Sequence, residues 1–596
     1  MCSIFGHYKL KQTAKIEYDI NSIFSLMKHR GPDFENLKDI DKRCSLAHQR
    51  LSIIDVDNEA NQPMIDKEDG IVFNGEIYNY LEIKKELEDN NNFKFKTISD
   101  TEVLLKGYSK FGTVFLNKLN GMFAFAHYNK NTKTLNLIRD RFGVKPLHYM
   151  IHNDILYFSS EIKPLIHIKK DISRNLSIFN SYFKHLATDY NNETFVQDIF
   201  QVRKGHYLEI KNNKVREKQW YFNHDFTFDE SVFLDKKKTL EFVEDLLVDA
   251  IQLRMRADVP ICLTLSGGID STVIYSLIKE KLQLNIKAFT FLHPNSPTNE
   301  YKDVLKLIKK YNDTVQIVSS NKNDSYEEVK KDLEIVEFPI WGISTRAYKD
   351  TYNSISSHGY KVVLEGHGSD EQLAGYPYMI DFAIYDYLKK KDYKNAYLSL
   401  RTMINTTNQH LSNFNTTSYR NLLHTKNRYK DNFTTFEENI NWTCNFKILP
   451  IVLRAFDRLS MSSSIESRAP FMDYRIVEVF RKLPKRYKVN KIGNKAILRE
   501  ILKKYNIDFI YKNKSKMGFA TDLNVFYSQQ KNLKDAETII NNFSLNEFKE
   551  EKNKALHILQ DGNIRWNRLD MIQKVSLIQL TEEIYKFNSH NKEMSL

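Results

Sequence analysis

Residues 261–280 read ICLTLSGGIDSTVIYSLIKE, and this stretch decides the fold of the larger half of the chain. Ile261–Leu265 is a continuous apolar run behind Pro260, the pattern of a strand buried on both faces of a parallel sheet. Ser266-Gly267-Gly268-Ile269-Asp270-Ser271 breaks the run, and Thr272–Lys281 resumes with helical spacing. Strand, glycine turn and helix N-terminus make a phosphate cradle: glycines let backbone N–H groups approach an anion, and the helix dipole favours its charge. No Gly-Lys-Ser/Thr follows, so this is not the Walker loop of kinases and GTPases.

Upstream lies a helical stretch, Leu240–Met255. Downstream, Lys287–Phe291 reads as the next parallel strand, and Val362-Val363-Leu364 leads into Glu365-Gly366-His367-Gly368-Ser369-Asp370-Glu371. Ligands of open α/β sheets sit beyond the carboxyl ends of strands, so these segments converge on one site. Asp270 and Asp370 are the expected Mg²⁺ ligands, because hard oxygen ligands bridge that ion to phosphates. The expected fold here is a doubly wound parallel α/β sheet with a helical C-terminal region.

The first 165 residues are patterned differently. Short apolar runs (Ile71–Phe73, Gly121–Ala126, Leu135–Ile138, Ile155–Phe158) are broken by Gly, Asn and Asp turns, with one clear helix after Tyr80. This reads as an α+β sandwich of antiparallel sheets. Domain bounds are expected at 1–205, at 206–238 for a polar, lysine-rich connector, at 239–540 for the α/β domain and at 541–596 for a helical tail.

Composition narrows the class. A chain of 596 residues is too long for one core, and 41% hydrophobic with 13% aromatic residues is ordinary for a packed protein. The net charge of +13 is spread along the whole chain, which suits charged small-molecule substrates better than nucleic acid. The four cysteines form no CxxC pair, no apolar run reaches the length of a membrane span, and the first ten residues are too polar for a signal peptide. A reducing, cytoplasmic compartment is expected, with no membrane partner; a homodimer is admitted.

Cys2 acquires meaning from its surroundings. If Met1 is trimmed, thiol and α-amine belong to one residue, and an amine titrating near 8 can take the thiol's proton. Downstream stand RGPD (Arg30–Asp33), HQRLSIID (His48–Asp55), FNGEIYNY (Phe73–Tyr80), SDTE (Ser99–Glu102), NGMFAFA (Asn120–Ala126), RDRFGVKPL (Arg139–Leu147) and FSSEIKPL (Phe158–Leu165). In this order they resemble the class II, N-terminal-nucleophile glutamine amidotransferase domain, in its asparagine synthetase branch. SGGIDS resembles the loop of N-type ATP pyrophosphatases, and Leu364–Tyr376 the second loop, LSGxGxDExxGGY, of the same synthetases.

The resemblance implies two sites. At the first, Cys2 attacks glutamine, the Asn74 amide and Gly75 N–H form the oxyanion hole, Arg50 takes the α-carboxylate, and Asp100 with Glu76 takes the α-ammonium. At the second, ATP meets Leu265, Ser266, Gly267, Gly268, Asp270, Ser271, Phe291, Glu365 and Gly366, and a substrate carboxylate, aspartate's in the family, becomes an acyl-adenylate. Leu449–Asp473 resembles the family's helical run over the ATP site, where Arg458, Glu466 and Arg468 are expected to pair. Lys516, in the register of an R-x-K-x-G-F pattern after Gly493–Glu500, is the implied cation for the pyrophosphate.

Two positions depart from the pattern. Ser3 replaces a glycine. His367 stands where many asparagine synthetases carry glutamate, while Glu365 stands where serine is usual, and the acceptor carboxylate is therefore left open. An RNA-modifying pyrophosphatase is the more distant alternative.

Overall fold

The computed structural model describes residues 2–185, 187–292, 301–319, 325–337, 345–407, 435–512, 523–560 and 566–587. The first half contains β1 (Ser3–Lys9), β2 (Phe34–Asp39), β3 (Cys44–Arg50), β4 (Met64–Asp66), β5 (Asp69–Ile77), β6 (Gly121–Asn129), β7 (Thr134–Arg139), β8 (His148–His152), β9 (Ile155–Ser159), β10 (Phe200–Gln201), β11 (His206–Lys211) and β12 (Lys214–Gln219). They form two six-stranded antiparallel sheets, ordered β10-β8-β9-β1-β3-β2 and β12-β11-β7-β6-β5-β4. Alternation along each strand sends one set of side chains between the sheets, among them Ile4, Tyr8, Val72, Ala124 and Phe158. The opposite set meets helices: Phe5 packs with Ile20–Met27 and Lys163–Lys169, and Phe73 with Tyr80–Asn91 and Asp100–Phe111.

The expected connector needs correction. Residues 206–219 are not a linker, because β11 pairs with β7 from Tyr207↔Ile138 to Ile210↔Leu135 and completes the second sheet. The lysines that make this stretch look solvated sit on the exposed side of a hairpin whose Leu208 and Ile210 are buried. Only the part after Gln219 runs between the halves.

The second half is built on β13 (Ile261–Thr264), β14 (Lys287–Leu292), β15 (Val315–Ser319), β16 (Val362–Leu364) and β17 (Glu466–Arg468), all parallel, in the order β15-β14-β13-β16-β17. The order reverses between β13 and β16, and the loops after these two strands open at that switch point. Helices Lys236–Arg254 and Ile269–Leu277 cover one face, and Arg346–Ser357 and Leu449–Met461 the other. The C-terminal helices Lys549–Gln560 and Trp566–Tyr585 are no loose tail. Ala555, Ile572, Val575 and Ile578 are buried in the cluster that holds Ile178, Phe179 and Phe183 of the first half. Among the described residues no helix is long and apolar enough to cross a membrane.

Buried charges join the halves. Arg30, fully buried, reaches Asp457 of helix Leu449–Met461 through Nη1 (2.9 Å) and Nη2 (3.3 Å), and Lys145 Nζ lies 3.4 Å from the same carboxylate. Asn120 and Arg254 both donate to Asp473 at 2.9 Å. Arg458 lies 2.9 Å from Glu337, whereas Arg468 pairs with Glu466.

Candidate active sites

Cys2 lies at the start of β1, buried, with its backbone N–H donating to Asn74 Oδ1 at 3.2 Å. Loss of Met1 would leave an α-amine at that place. The carbonyl of Cys2 accepts from Arg30 Nε at 3.3 Å. Burial pushes the thiol up, and the positive chain terminus, a hydrogen bond from the Leu51 backbone and Arg50 pull against it. The neighbouring Ser3 is accommodated: its backbone is outside the left-handed region and its hydroxyl donates to Gln49 Oε1 at 2.9 Å.

Asn74 is fully buried on β5, and while its Oδ1 holds Cys2, its Nδ2 has no hydrogen-bond partner among the described residues. A buried amide donor without an acceptor is costly, and a developing oxyanion would satisfy it. Gly75 follows with φ +151°, and a Cβ there would meet the Met122 carbonyl oxygen at 2.0 Å. Only glycine lets β5 and β6 approach this closely and presents its N–H beside Asn74.

Three carboxylates face one guanidinium next to this strand. Glu76 lies 3.6 Å from Arg468, which also pairs with Glu466, and Asp100 accepts from the Ile77 N–H at 3.0 Å. Burial, with Glu466 and Asp100 nearby, pushes Glu76 well above the usual carboxylate range, and burial lifts Asp100 to about 6. Such a surplus of buried negative charge suits an ammonium ligand. Glu466 and Arg468 come from β17 of the other half, which sequence order could not reveal. Arg50, by contrast, is committed to its own loop: Nη1 donates to Asp57 O and Asn61 Oδ1, both at 2.8 Å, and Nη2 to the Ile54 and Asp55 carbonyls. A ligand carboxylate at Arg50 requires these loop oxygens to release some of the guanidinium N–H groups.

At the switch point the Ser266–Ser271 loop is braced from within. Ser266 Oγ sits 3.0 Å from Ser271 Oγ and accepts from the Gly268 N–H at 3.1 Å, and Gly267 takes φ +82°. Leu265 spends its N–H on the Phe289 carbonyl (2.8 Å), which leaves packing as its contribution, and Phe291 closes β14 alongside. The second loop comes against the first at Gly366, where a Cβ would meet Asp270 Cβ at 2.7 Å. The Glu365 N–H goes to the Arg468 carbonyl (2.9 Å), and its carboxylate accepts from Thr264 Oγ1 (3.2 Å), Tyr352 OH (2.8 Å) and Ser467 Oγ. His367 Nε2 lies 3.1 Å from Glu365 Oε2, and the ring stacks on Phe456 with centroids 3.5 Å apart.

Lys495 is the residue that sequence reasoning missed. It caps helix Ala496–Lys504 with φ +49°, and its buried Nζ lies 2.6 Å from Asp270 Oδ2 and 2.8 Å from Asp370 Oδ1. Lys495 belongs to the Gly493–Glu500 segment that sets the register of Lys516, and Lys516 itself lies outside the described residues. The lysine shows that Asp270 and Asp370 can share one cation, and Asp270 Oδ1 is buried with no hydrogen-bond partner among the described residues. The two carboxylates fit Mg²⁺, which takes one or two carboxylates and completes its shell from phosphates and water. Among the described residues no group of three or more His, Cys, Asp or Glu could hold a metal unaided.

These two sites, a sandwich-borne thiol and a parallel-sheet phosphate cradle, define a glutamine amidotransferase joined to a nucleotide-dependent synthetase. Comparison with known sequences agrees. Residues 1–221 match the glutamine amidotransferase domain family and residues 242–571 the asparagine synthase family. The chain belongs to the asparagine synthase family. It is 28% identical to asparagine synthetase [glutamine-hydrolyzing] 1 of Bacillus subtilis, over 89% of this chain and 88% of that one. It is 32% identical to a putative asparagine synthetase [glutamine-hydrolyzing] 2 of Methanocaldococcus jannaschii, over 65% and 78%. A fungal protein named amidase chry2, from Gibberella zeae, is 29% identical over 60% of this chain and 55% of its own length.

Proposed function

We propose that the chain makes asparagine: it hydrolyses glutamine at Cys2, activates aspartate with MgATP as an acyl-adenylate with release of pyrophosphate, and releases AMP when ammonia displaces the adenylate. The Cys2 thiolate attacks the amide, with the charged oxygen received by Asn74 Nδ2 and the Gly75 N–H, and Glu76 and Asp100 hold the α-ammonium. At the second site Ser266–Ser271 receives the phosphates, and Asp270 and Asp370 would hold Mg²⁺, which neutralises phosphate charge when bound. Lys516 remains the proposed pyrophosphate cation.

One observation carries the reading. A cavity of about 30 Å³ lies between the halves, lined by Tyr78, Met122 and Lys145 of the first and His367, Phe456 and Ser467 of the second. A space of that volume takes a water-sized molecule, and ammonia is of that size. Its position supports passage of nitrogen from the thiol site toward His367.

The acceptor has a second candidate. His367 replaces the glutamate frequent in asparagine synthetases, and a relative of similar identity is named an amidase, so another carboxylic acid is the competing substrate. Incubation with ATP, glutamine and candidate acids, with products identified by mass, separates the two. Cys2→Ala should abolish glutamine-dependent synthesis and leave synthesis from added ammonia. Loss of both in a folded variant would overturn the two-site reading.

A further inference from the structure

Arg50 ends β3, and the chain that follows folds back over it. The two Nη groups carry four hydrogens, and four oxygens take them: Asp57 O and Asn61 Oδ1 on Nη1, Ile54 O and Asp55 O on Nη2. A carboxylate is gripped side-on by the Nε–H and the Nη2–H beside it, which lie parallel. Both Nη2 hydrogens are taken, so that fork is closed on its Nη2 side. Residues 56–59 form the exposed outer part of the loop, whereas Ile53, Ile54 and Ala60 are buried at its two feet. Asp55 is the joint between the anchored part and the exposed part.

That joint is held from several sides. The Asp55 backbone sits in the left-handed region at φ +52°, a conformation that neighbours must maintain for a residue other than glycine. Its N–H donates to Asp258 Oδ2 at 2.7 Å, its Oδ2 accepts from the Ile98 N–H at 2.9 Å, and the Asp258 N–H donates to the Ile53 carbonyl at 2.9 Å. Asp258 belongs to the other half, standing between helix Lys236–Arg254 and β13. The segment that carries it is pinned. Arg468 donates to the Arg254 and Arg256 carbonyls at 2.8 and 2.7 Å, and Arg256 Nη1 to the Tyr78 carbonyl at 2.6 Å. A fixed carboxylate of the synthetase half thus holds the turn whose carbonyl closes the Arg50 fork.

We propose that Asp258 is a latch on the thiol site: by holding Asp55 left-handed it keeps the Asp55 carbonyl on Arg50, so that the α-carboxylate of the amide donor binds only after this turn gives way. The inference rests on the glutaminase reading of that site and extends it to a positioning residue on the other half. Release is a change at one backbone joint. Asp55 leaves the left-handed region, its N–H parts from Asp258, its carbonyl swings off Nη2, and the ligand carboxylate takes the freed N–H together with the Nε–H. Glutamine as donor and glutamate as product carry the same α-carboxylate and meet the same barrier. Apparent affinity is reduced by the fraction of molecules whose fork is closed, so loosening the latch tightens binding. A contact that merely supported the site would have the opposite effect when removed.

The test compares the full chain with Asp258→Ala, which removes the acceptor, and with Asp258→Asn, which keeps an oxygen in its place. Asp258 is exposed, and thermal unfolding checks that both variants fold. In Asp258→Ala the glutaminase KM for glutamine should fall by about three- to tenfold, the contribution of one hydrogen bond at a partly exposed site, with kcat unchanged. L-Glutamate, titrated by calorimetry, should bind tighter by the same factor. Synthesis from added ammonia should be unaffected, and Asp258→Asn should lie close to the wild type. Should Asp258→Ala fail to fold, Asp258→Ser, too short to reach the Asp55 N–H, carries the same expectations. A KM and a glutamate affinity that stay the same or weaken would overturn the latch. Tighter glutamate binding in a chain that hydrolyses no glutamine would keep the latch and count against the glutaminase reading.

Discussion

Asp100 sits where residue chemistry and substrate binding meet. Its carboxyl is lifted to about 6, so it is mostly charged at pH 7 and takes a proton as the pH falls through that value. A protonated Asp100 offers no charge to the α-ammonium of glutamine. The glutaminase KM should therefore rise as pH falls below about 6, by up to roughly tenfold per pH unit, while synthesis from ammonia is spared this effect. Steady-state KM values from pH 5 to 7.5 check it, and a flat KM would remove Asp100 from the ammonium pocket. Most of these residues were legible in sequence because thiol, amide, glycine and carboxylate each do chemistry that few other types can do. Glu466 and Arg468 are legible as a pair, but the contact of Arg468 with Glu76 is not, because it joins strands almost 400 residues apart. Arg50 was legible as a cation, but nothing in its neighbours announced that four backbone and side-chain oxygens would occupy it.

At the scale of elements, two glycines make reciprocal tests. Gly75→Ala forces a Cβ onto the Met122 carbonyl and should part β5 from β6, which removes glutamine hydrolysis while ammonia-dependent synthesis continues. Gly366→Ala pushes the two phosphate-side loops apart at Asp270 and should remove pyrophosphate exchange while glutamine hydrolysis continues. A loss of both activities in either variant, with folding intact by circular dichroism, would contradict the separation. Strands were readable where apolar runs end in glycine, as at Ile261–Thr264. The hairpin β11–β12 was not, because an edge hairpin with lysine on its outer side has the composition of a linker. The C-terminal helices were likewise unplaced: Ile572, Val575 and Ile578 pack against the first half, and no local pattern names a distant partner.

Buried charges and the apolar packing of the C-terminal helices tie the two halves together. Arg30 orients the Cys2 carbonyl and is neutralised by Asp457, whose neighbour Phe456 carries the His367 ring. Asp457→Ala would leave Lys145 buried without the carboxylate it faces and Arg30 with Glu161 alone (3.2 Å), and it should cost about 3–5 kcal/mol of stability in urea unfolding. Glutamine hydrolysis should fall with it although Asp457 belongs to the synthetase half; a variant as stable and as active as the wild type would show that the interface does not support Cys2. On the proposed function, one chain moves glutamine nitrogen into an amide at the expense of ATP cleaved between its α- and β-phosphates. Amide-labelled ¹⁵N-glutamine, ATP and aspartate, with products followed by mass, test it directly. The account requires one ¹⁵N-amide, one AMP and one pyrophosphate per turnover; ADP and phosphate as the nucleotide products, or an amide without the label, would contradict it.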